Sequence, residues 1–144
     1  MSGEGAEGVI LHAGCVALNG RGVLILGPSG SGKSALALQL MAYGCDLVSD
    51  DRTEVTVHDD ALVASAPEPI RGRIEARGVG LLAAEPDRDA RLVLVVDLAH
   101  LEPERLPPWH VHEVLGIELP LLHRVESPHF TAAILQYLKA GRAA

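Results

Sequence analysis

The chain has 144 residues, 48% of them hydrophobic, which is enough for one domain with its own core. Its formal net charge of -7 argues against a nucleic-acid partner, because the phosphates of DNA and RNA bind to basic surfaces. Arginine outnumbers lysine ten to two, so most of the positive charge sits on planar groups that grip oxyanions.

The features that report cellular compartment favour the cytoplasm. The opening segment MSGEGAEG lacks the basic and apolar regions of a signal peptide, and the run LVLVV is too short to cross a bilayer. Cys15 and Cys45 form neither a CxxC motif nor a disulfide framework. We therefore expect both thiols to be reduced, as in a cytoplasmic protein.

In the first part of the chain, short strands surround one helix. Residues 1–8 are small and acidic and are expected to be frayed. Two apolar runs then meet at Asn19-Gly20, a pair that favours the positive φ angles of a tight turn, which predicts a β-hairpin. The segment KSALALQLMAYG predicts a helix with Tyr43 on its apolar face and Gly44 at its C-terminal end. The segment CDLVSDD, which follows, is predicted to be a short buried strand that ends in acidic residues.

The second part adds strands and a terminal helix. A hairpin is predicted to turn at Asp59-Asp60. The segment PEPIRGRIEARGVGLLAA fits neither the helical nor the strand period and is interpreted as a functional loop. RLVLVVDLA predicts an interior strand, and VHEVLGIELPLLHRV is expected to be extended. The last helix is predicted to be capped by Ser127, with Pro128 at its first position. We predict one α/β domain over residues 9–144.

The segment GPSGSGKS satisfies the pattern G-x-x-x-x-G-K-[ST] between a predicted strand and a predicted helix. Gly30 and Gly32 allow the backbone to curl so that successive N–H groups point at one anion, beside the positive end of the helix dipole. Lys33 is expected to reach the β- and γ-phosphates, and the Ser34 hydroxyl to bind Mg²⁺. The alternative is a glycine-rich turn without a ligand. The predicted nucleotide-binding residues are Gly27, Ser29, Gly30, Ser31, Gly32, Lys33 and Ser34.

Two adjacent carboxylates, Asp50 and Asp51, follow the next predicted strand. Ligands collect at the carboxyl ends of strands in open α/β sheets, so both side chains are expected near the γ-phosphate. One carboxylate would hold Mg²⁺, and the other would accept a proton from an attacking hydroxyl. The alternative is a solvated turn or a helix cap, which is our interpretation of the similar pair Asp59-Asp60.

Four further residues are candidates for catalysis or metal binding. His12 precedes the glycine-rich loop, where a histidine is either a structural hydrogen-bonding group or a catalytic one. Glu75 lies between glycines as a candidate second Mg²⁺ ligand, or as the partner of Arg77 in a surface ion pair. His110 and His112 form an H-x-H pair without an evident third ligand, which favours solvated loop histidines over a metal site.

Four segments, LHAG, GVLILGPSGSGKSALALQL, GCDLVSDDR and IEARGVGLL, occur in this order over roughly residues 8–100. Together they resemble the catalytic domain of the bacterial HPr kinase/phosphorylase family. The combination is much more specific than the glycine-rich loop alone. The resemblance implies a P-loop-containing fold of the HPr kinase/PEP carboxykinase-like type, a single domain with a mixed sheet and flanking helices.

The resemblance also implies an activity. Family members transfer the γ-phosphoryl group of ATP to a serine of HPr, the phosphocarrier protein of the sugar phosphotransferase system, and so regulate carbon metabolism. Many reverse the step with inorganic phosphate, and some use pyrophosphate. The typical member is a homo-hexamer with active sites near the subunit contacts. The cofactors implied are ATP and Mg²⁺.

Carried onto this sequence, the family pattern makes Asp50 the base toward the serine hydroxyl and Asp51 its neighbour near the metal. His12 matches a histidine near the acid pair, and Glu75 a glutamate near the metal and the phosphate. Lys33 keeps its role in the loop.

The sequence departs from the family pattern in three places. The chain begins almost at the catalytic domain, so it resembles a short form without the N-terminal domain. Pro28 and Ser31 differ from the residues common in the family's loop. Arg105 is the candidate for a late-loop arginine that binds phosphate in the reverse reaction, but the glycine that usually follows is absent. We therefore expect kinase activity to exceed phosphorylase activity.

Two alternatives remain beside the kinase. One is a nucleotide-binding regulator that senses ATP without turnover. The other is a small-molecule kinase or a nucleotide hydrolase, although these usually need a longer chain with a lid.

Overall fold

The computed structural model describes residues 8–85 and 89–144. The predicted frayed segment lies outside the described residues, apart from Gly8 at the start of the first strand. The helices are α1 (Lys33–Ala42) and α2 (Phe130–Ala140), with a short 3₁₀ turn at Glu68–Ile70. The strands are β1 (Gly8–Leu11), β2 (Ala13–Leu18), β3 (Arg21–Leu26), β4 (Asp46–Ser49), β5 (Thr53–His58), β6 (Ala61–Ser65), β7 (Arg73–Ala76), β8 (Gly80–Ala83), β9 (Ala90–Leu101), β10 (His110–Val114) and β11 (Ile117–Arg124).

Nine of these strands form one curled mixed sheet in the order β1-β5-β6-β9-β3-β2-β4, with β10 and β11 attached through β9. The long strand β9 pairs in parallel with β3 on one side. On its other side it pairs first with β6 and then, in parallel, with β11. Because β3, β9 and β11 run in the same direction, their carboxyl ends lie at one edge of the sheet. The segments after these three strands therefore meet at that edge.

Both predicted hairpin turns are confirmed. Asn19 and Gly20 join β2 to β3 with φ values of 51° and 80°. Asp59 and Asp60 join β5 to β6 with φ values of 51° and 63°. In a two-residue turn, positive φ at both positions matches the twist of the paired strands, and Asn, Asp and Gly tolerate it best.

The core occupies both faces of the sheet. On one face, Leu40 of α1 and Ile134 of α2 pack with residues of the central strands such as Ile25 and Val96. On the other face the buried cluster contains strand residues, including Leu24 and Val95, and none from the helices. The curled sheet thus covers its own second face, which explains why β9 reads as a continuous apolar run.

Three predictions of local structure need correction. The segment 67–84, which we predicted to be a functional loop, contains a two-stranded sheet formed by β7 and β8. The sequence shows no alternation of apolar and polar residues here, because β8 is exposed along its whole length. Tyr43 is 59% exposed and lies beyond the end of α1, not on its buried face. The last helix begins at Phe130, because Ser127 and Pro128 form a turn before it instead of its cap and first residue.

Both cysteines are buried, and neither belongs to a disulfide. Burial, reinforced by the charge of Asp46, raises the pKa of Cys45 to about 11, so its thiol stays protonated at neutral pH. None of the helices in the described ranges is long and apolar enough to cross a membrane.

Candidate functional site

The glycine-rich loop lies between β3 and α1, at the edge of the sheet where the parallel strands end. Gly30 and Gly32 have φ values of 84° and 101°, a conformation that residues with a Cβ rarely adopt. A Cβ at Gly27 would collide with the Ser31 hydroxyl and stand 3.3 Å from Leu98 on β9. The loop therefore needs its glycines both for its curl and for its close approach to the sheet.

The first turn of α1 suits an anion. Gly32 caps the helix without a side-chain hydrogen bond, and the first turn contains no acidic residue, so no carboxylate competes for its N–H groups. Lys33 is buried, and its Nζ donates to the carbonyl oxygens of Gly27 (2.7 Å) and Pro28 (3.2 Å). These bonds hold the ammonium group inside the loop. The donors present fit a phosphate group.

Asp50 connects three parts of the chain at this edge. Its Oδ1 accepts a hydrogen bond from the Ser34 hydroxyl at 2.7 Å, and its Oδ2 accepts one from the backbone N–H of Glu75 at 2.9 Å. The residue itself is only 9% exposed. Asp50 therefore joins the end of β4 to the first turn of α1 and to β7.

Asp51 faces a different partner. Its φ of 68° turns the chain sharply after β4 and separates the two adjacent carboxylates. Oδ1 of Asp51 accepts a hydrogen bond from Nε2 of His12 at 2.7 Å, and the two side chains are 60% and 51% exposed. His12 lies between β1 and β2, so the sheet brings together two residues that are far apart in sequence.

A cavity of about 460 Å³ opens between the loop, α1 and the start of the β7–β8 hairpin. Asp51, Glu75 and Arg77 line it. Glu75 and Arg77 thus both belong to the site, and none of the ion pairs found among the described residues joins them. Arg77 is the residue that sequence reasoning assigned only to a surface pair. The remaining lining residues are Ser29, Gly30, Gly32, Lys33, Ser34, Ala35, Leu38 and Ala76.

Two further predicted candidates lie elsewhere. Arg105 is exposed in the segment after β9 and is not among the described residues that line this cavity. His110 is not a solvated loop histidine: it begins β10, is partly buried and bonds to Glu102. His110 lies in a cluster with Glu102, just after β9, and His123 of β11, and this cluster leaves out His112.

The fold and the loop define a class: a mixed α/β protein with a glycine-rich turn between a strand and a helix, whose donors fit a phosphate group. The chain belongs to the HPr serine kinase C-terminal domain family, whose family model matches residues 4–105. The resemblance noted from the sequence is thereby confirmed.

Named relatives agree with this assignment. The chain is 39% identical over 132 residues to the HPr kinase/phosphorylase of Caldicellulosiruptor bescii, covering 83% of this chain and 42% of that protein. It is 43% identical over 116 residues to the HPr kinase/phosphorylase of Geobacillus kaustophilus, covering 75% and 36%. The chain thus spans less than half the length of these relatives.

A solved structure has the same fold. The HPr(Ser) kinase/phosphatase from Coxiella burnetii superposes with a TM-score of 0.74 at 24% sequence identity, covering 91% of this chain and 94% of that one. This likeness concerns the arrangement of the sheet and helices.

Proposed function

We propose that this chain is an ATP-dependent protein serine kinase that phosphorylates HPr, the phosphocarrier protein of the sugar phosphotransferase system, and so regulates carbon metabolism. The observation that carries the proposal is the pair of contacts made by Asp50, to the Ser34 hydroxyl and the Glu75 N–H. They put a buried carboxylate, a loop hydroxyl and the start of the second signature segment against one anion-binding turn. The family assignment supports HPr as the protein that is phosphorylated.

Several residues of the proposed site would hold Mg·ATP. The N–H groups of residues 29–34 and the ammonium of Lys33 would bind the phosphates. Ser34, Asp50 and Glu75 offer hydroxyl and carboxylate oxygens, which are the ligands that Mg²⁺ prefers. When bound, Mg²⁺ neutralises charge on the β- and γ-phosphates during transfer. Pyrophosphate, which presents the same two-phosphate chemistry, fits this donor set as well.

The contacts favour a division of roles between the two aspartates opposite to the one that the resemblance implies. A general base needs a lone pair that faces the incoming hydroxyl. Both oxygens of Asp50 are engaged, and the residue is 9% exposed. Asp51 lines the cavity, and His12 orients one of its carboxylate oxygens, while the other has no hydrogen-bond partner among the residues that the structure describes. We therefore assign proton removal from the serine to Asp51, and metal binding to Asp50.

The same proposal includes the fold type, the cellular location and the oligomeric state. The fold would be the P-loop kinase type described as HPr kinase/PEP carboxykinase-like, acting in the cytoplasm. A homo-oligomer, a hexamer as in the family, would bring the sites near subunit contacts. Residues 9–144 would form the catalytic domain.

Incubation with γ-labelled Mg·ATP and purified HPr tests the activity. We expect label on HPr and none on an HPr variant that lacks its acceptor serine. Loss of ATP without labelled protein would instead support a nucleotide hydrolase, or a small-molecule kinase if a metabolite carries the label. Binding without turnover would support the nucleotide-sensing regulator.

The reverse reaction is expected to be much slower than the forward one. Phosphorolysis places inorganic phosphate in line behind seryl-phosphate, so two anions crowd one site and need more than one cation. Arg105 is exposed outside the cavity, and Pro107 and Pro108 stiffen the backbone after it. Arg77 lines the cavity but is exposed on a turn, where its charge is screened.

Release of phosphate or pyrophosphate from seryl-phosphorylated HPr, measured across a phosphate titration, checks this expectation. We expect the residual rate to fall in Arg77→Ala and to be unchanged in Arg105→Ala. A reverse rate equal to the forward rate would refute the expectation, and its selective loss in Arg105→Ala would show that Arg105 fills the late-loop role.

A further inference from the structure

A second cluster of ligand atoms lies at the same edge of the sheet, on the other side of β9. It contains Glu102 just after β9, His110 at the start of β10 and His123 near the end of β11. One carboxylate oxygen of Glu102 stands 2.9 Å from Nε2 of His110 and 3.7 Å from Nδ1 of His123. All three ligand atoms lie within 4.8 Å of one another.

A tetrahedral coordination shell around a metal ion would require only small shifts of these ligand atoms, with the ion replacing the hydrogen bond between His110 and Glu102. With metal bonds of about 2.0–2.1 Å to nitrogen and oxygen, neighbouring ligand atoms stand roughly 3.3–3.4 Å apart. The two measured separations from the Glu102 oxygen lie on either side of that value. The rings of His110 and His123 stack at 4.4 Å, and one nitrogen of each ring lies beside the same carboxylate oxygen of Glu102.

The cluster is shielded from water. The side chain of Glu102 is 6% exposed, and those of His110 and His123 are 27% and 23% exposed. A divalent cation bound beside a nearly buried carboxylate would compensate the negative charge of that group. The histidines distinguish this cluster from the oxygen-rich Mg²⁺ site, because imidazole favours zinc and its transition-metal neighbours.

We propose that Glu102, His110 and His123 form a three-ligand site for a divalent metal ion of the zinc class. All three residues line a cavity of about 220 Å³, together with apolar side chains of α2 such as Phe130, which leaves room for a further ligand of the metal. The site is separate from the phosphate-binding loop, since Glu102 follows β9 and His123 lies near the end of β11, whereas the loop follows β3. It does not depend on the kinase proposal.

The position of the ligands suggests what the metal does. Glu102 and His110 flank the Pro-rich segment 103–109, which carries Arg105 and the exposed side chains of Leu106 and Trp109. A metal bound to both ends, and to β11, closes this segment into a loop and fixes it against the sheet. The ion therefore sets the conformation of an exposed segment at the edge that also carries the phosphate-binding loop.

Titration of the untagged, metal-free protein with Zn²⁺ tests the site, in excess Mg²⁺ so that oxygen-rich sites are occupied. We expect one equivalent to bind tightly, and Co²⁺ at the same site to give the visible absorption of a tetrahedral centre. Glu102→Gln and His123→Ala should each weaken Zn²⁺ binding by at least about a hundredfold. His112→Ala is the matched control, because it removes a histidine on β10 outside the cluster, and it should bind like wild type.

A readout on the unaltered protein does not depend on how the variants fold. Trypsin cleavage after Arg105 should slow when Zn²⁺ is added, and cleavage at arginines elsewhere should not change. The proposal is overturned if the wild-type protein binds no Zn²⁺ in the presence of excess Mg²⁺. It is also overturned if Zn²⁺ binding survives in His123→Ala and is lost in His112→Ala. Unchanged cleavage at Arg105 with Zn²⁺ bound would overturn the role assigned to the loop.

Discussion

Lys33→Ala should reduce HPr phosphorylation to background, a loss of about a thousandfold or more, and should weaken Mg·ATP binding as well. Lys33 contributes the ammonium group inside the loop, held by the carbonyl oxygens of Gly27 and Pro28. Exchange of these bonds for bonds to the β- and γ-phosphates would place its charge where negative charge collects during transfer. No other lysine can replace it, because the second lysine, Lys139, lies at the end of α2.

The measurement combines calorimetry with Mg·ATP and label transfer to HPr. Lys139→Ala is the control, since it removes one lysine charge from the chain without touching the loop, and it should leave both quantities unchanged. Lys33→Arg keeps the charge but not the compact ammonium, so it should retain more nucleotide binding than activity. Wild-type binding of Mg·ATP by Lys33→Ala would remove the basis for assigning the loop to phosphate.

The sequence predicts those parts of the fold that local chemistry decides. Asn19-Gly20 and Asp59-Asp60 are turns because few other residues tolerate positive φ at two successive positions. The run RLVLVVDLA is an interior strand because both of its faces are covered. The glycine-rich loop is recognisable because its glycines, its lysine and its serine have fixed spacing.

Contacts between residues that the sheet brings together from distant parts of the chain cannot be predicted from the sequence alone. His12 and Asp51 meet at 2.7 Å because the turns after β1 and β4 reach the same edge of the sheet, across 39 positions. The H-x-H spacing suggested His110 with His112, but the parallel pairing of β9 and β11 gives His110 the partners Glu102 and His123 instead. Such pairings depend on strand order, which is set by the whole core and not by any local pattern.

The exposed hairpin β7–β8 is another part of the fold that the sequence alone does not predict. Its apolar residues Val79 and Leu81 are 74% and 61% exposed, so no burial pattern marks it as a strand pair. Only Ile74 reaches the core. The residues that matter for the site, Glu75 and Arg77, are therefore positioned by a single buried side chain and by the bond from Glu75 to Asp50.

Asp51→Asn should lower kcat for HPr phosphorylation by about two to four decades while leaving Mg·ATP affinity nearly unchanged. The substitution keeps the shape of the side chain and its acceptance of the His12 hydrogen bond, but the amide cannot take the serine proton. Each decade corresponds to about 1.4 kcal/mol in the activation free energy, so the expected loss is about 3–5 kcal/mol.

Asp50→Asn is the matched comparison, because the same change is made one residue away. Its oxygens bond Ser34 and the Glu75 N–H, so an amide there should weaken the proposed metal site and raise the Mg²⁺ concentration needed for half-maximal rate. His12→Asn should give a smaller loss of kcat than Asp51→Asn, since it only orients the carboxylate. If Asp50→Asn instead lowers kcat without changing the Mg²⁺ requirement, and Asp51→Asn changes that requirement, the roles are those that the sequence resemblance implies. The two assignments make opposite predictions for the Mg²⁺ requirement of the variants, so a titration of Mg²⁺ at saturating HPr separates them even if both variants lose most of their activity.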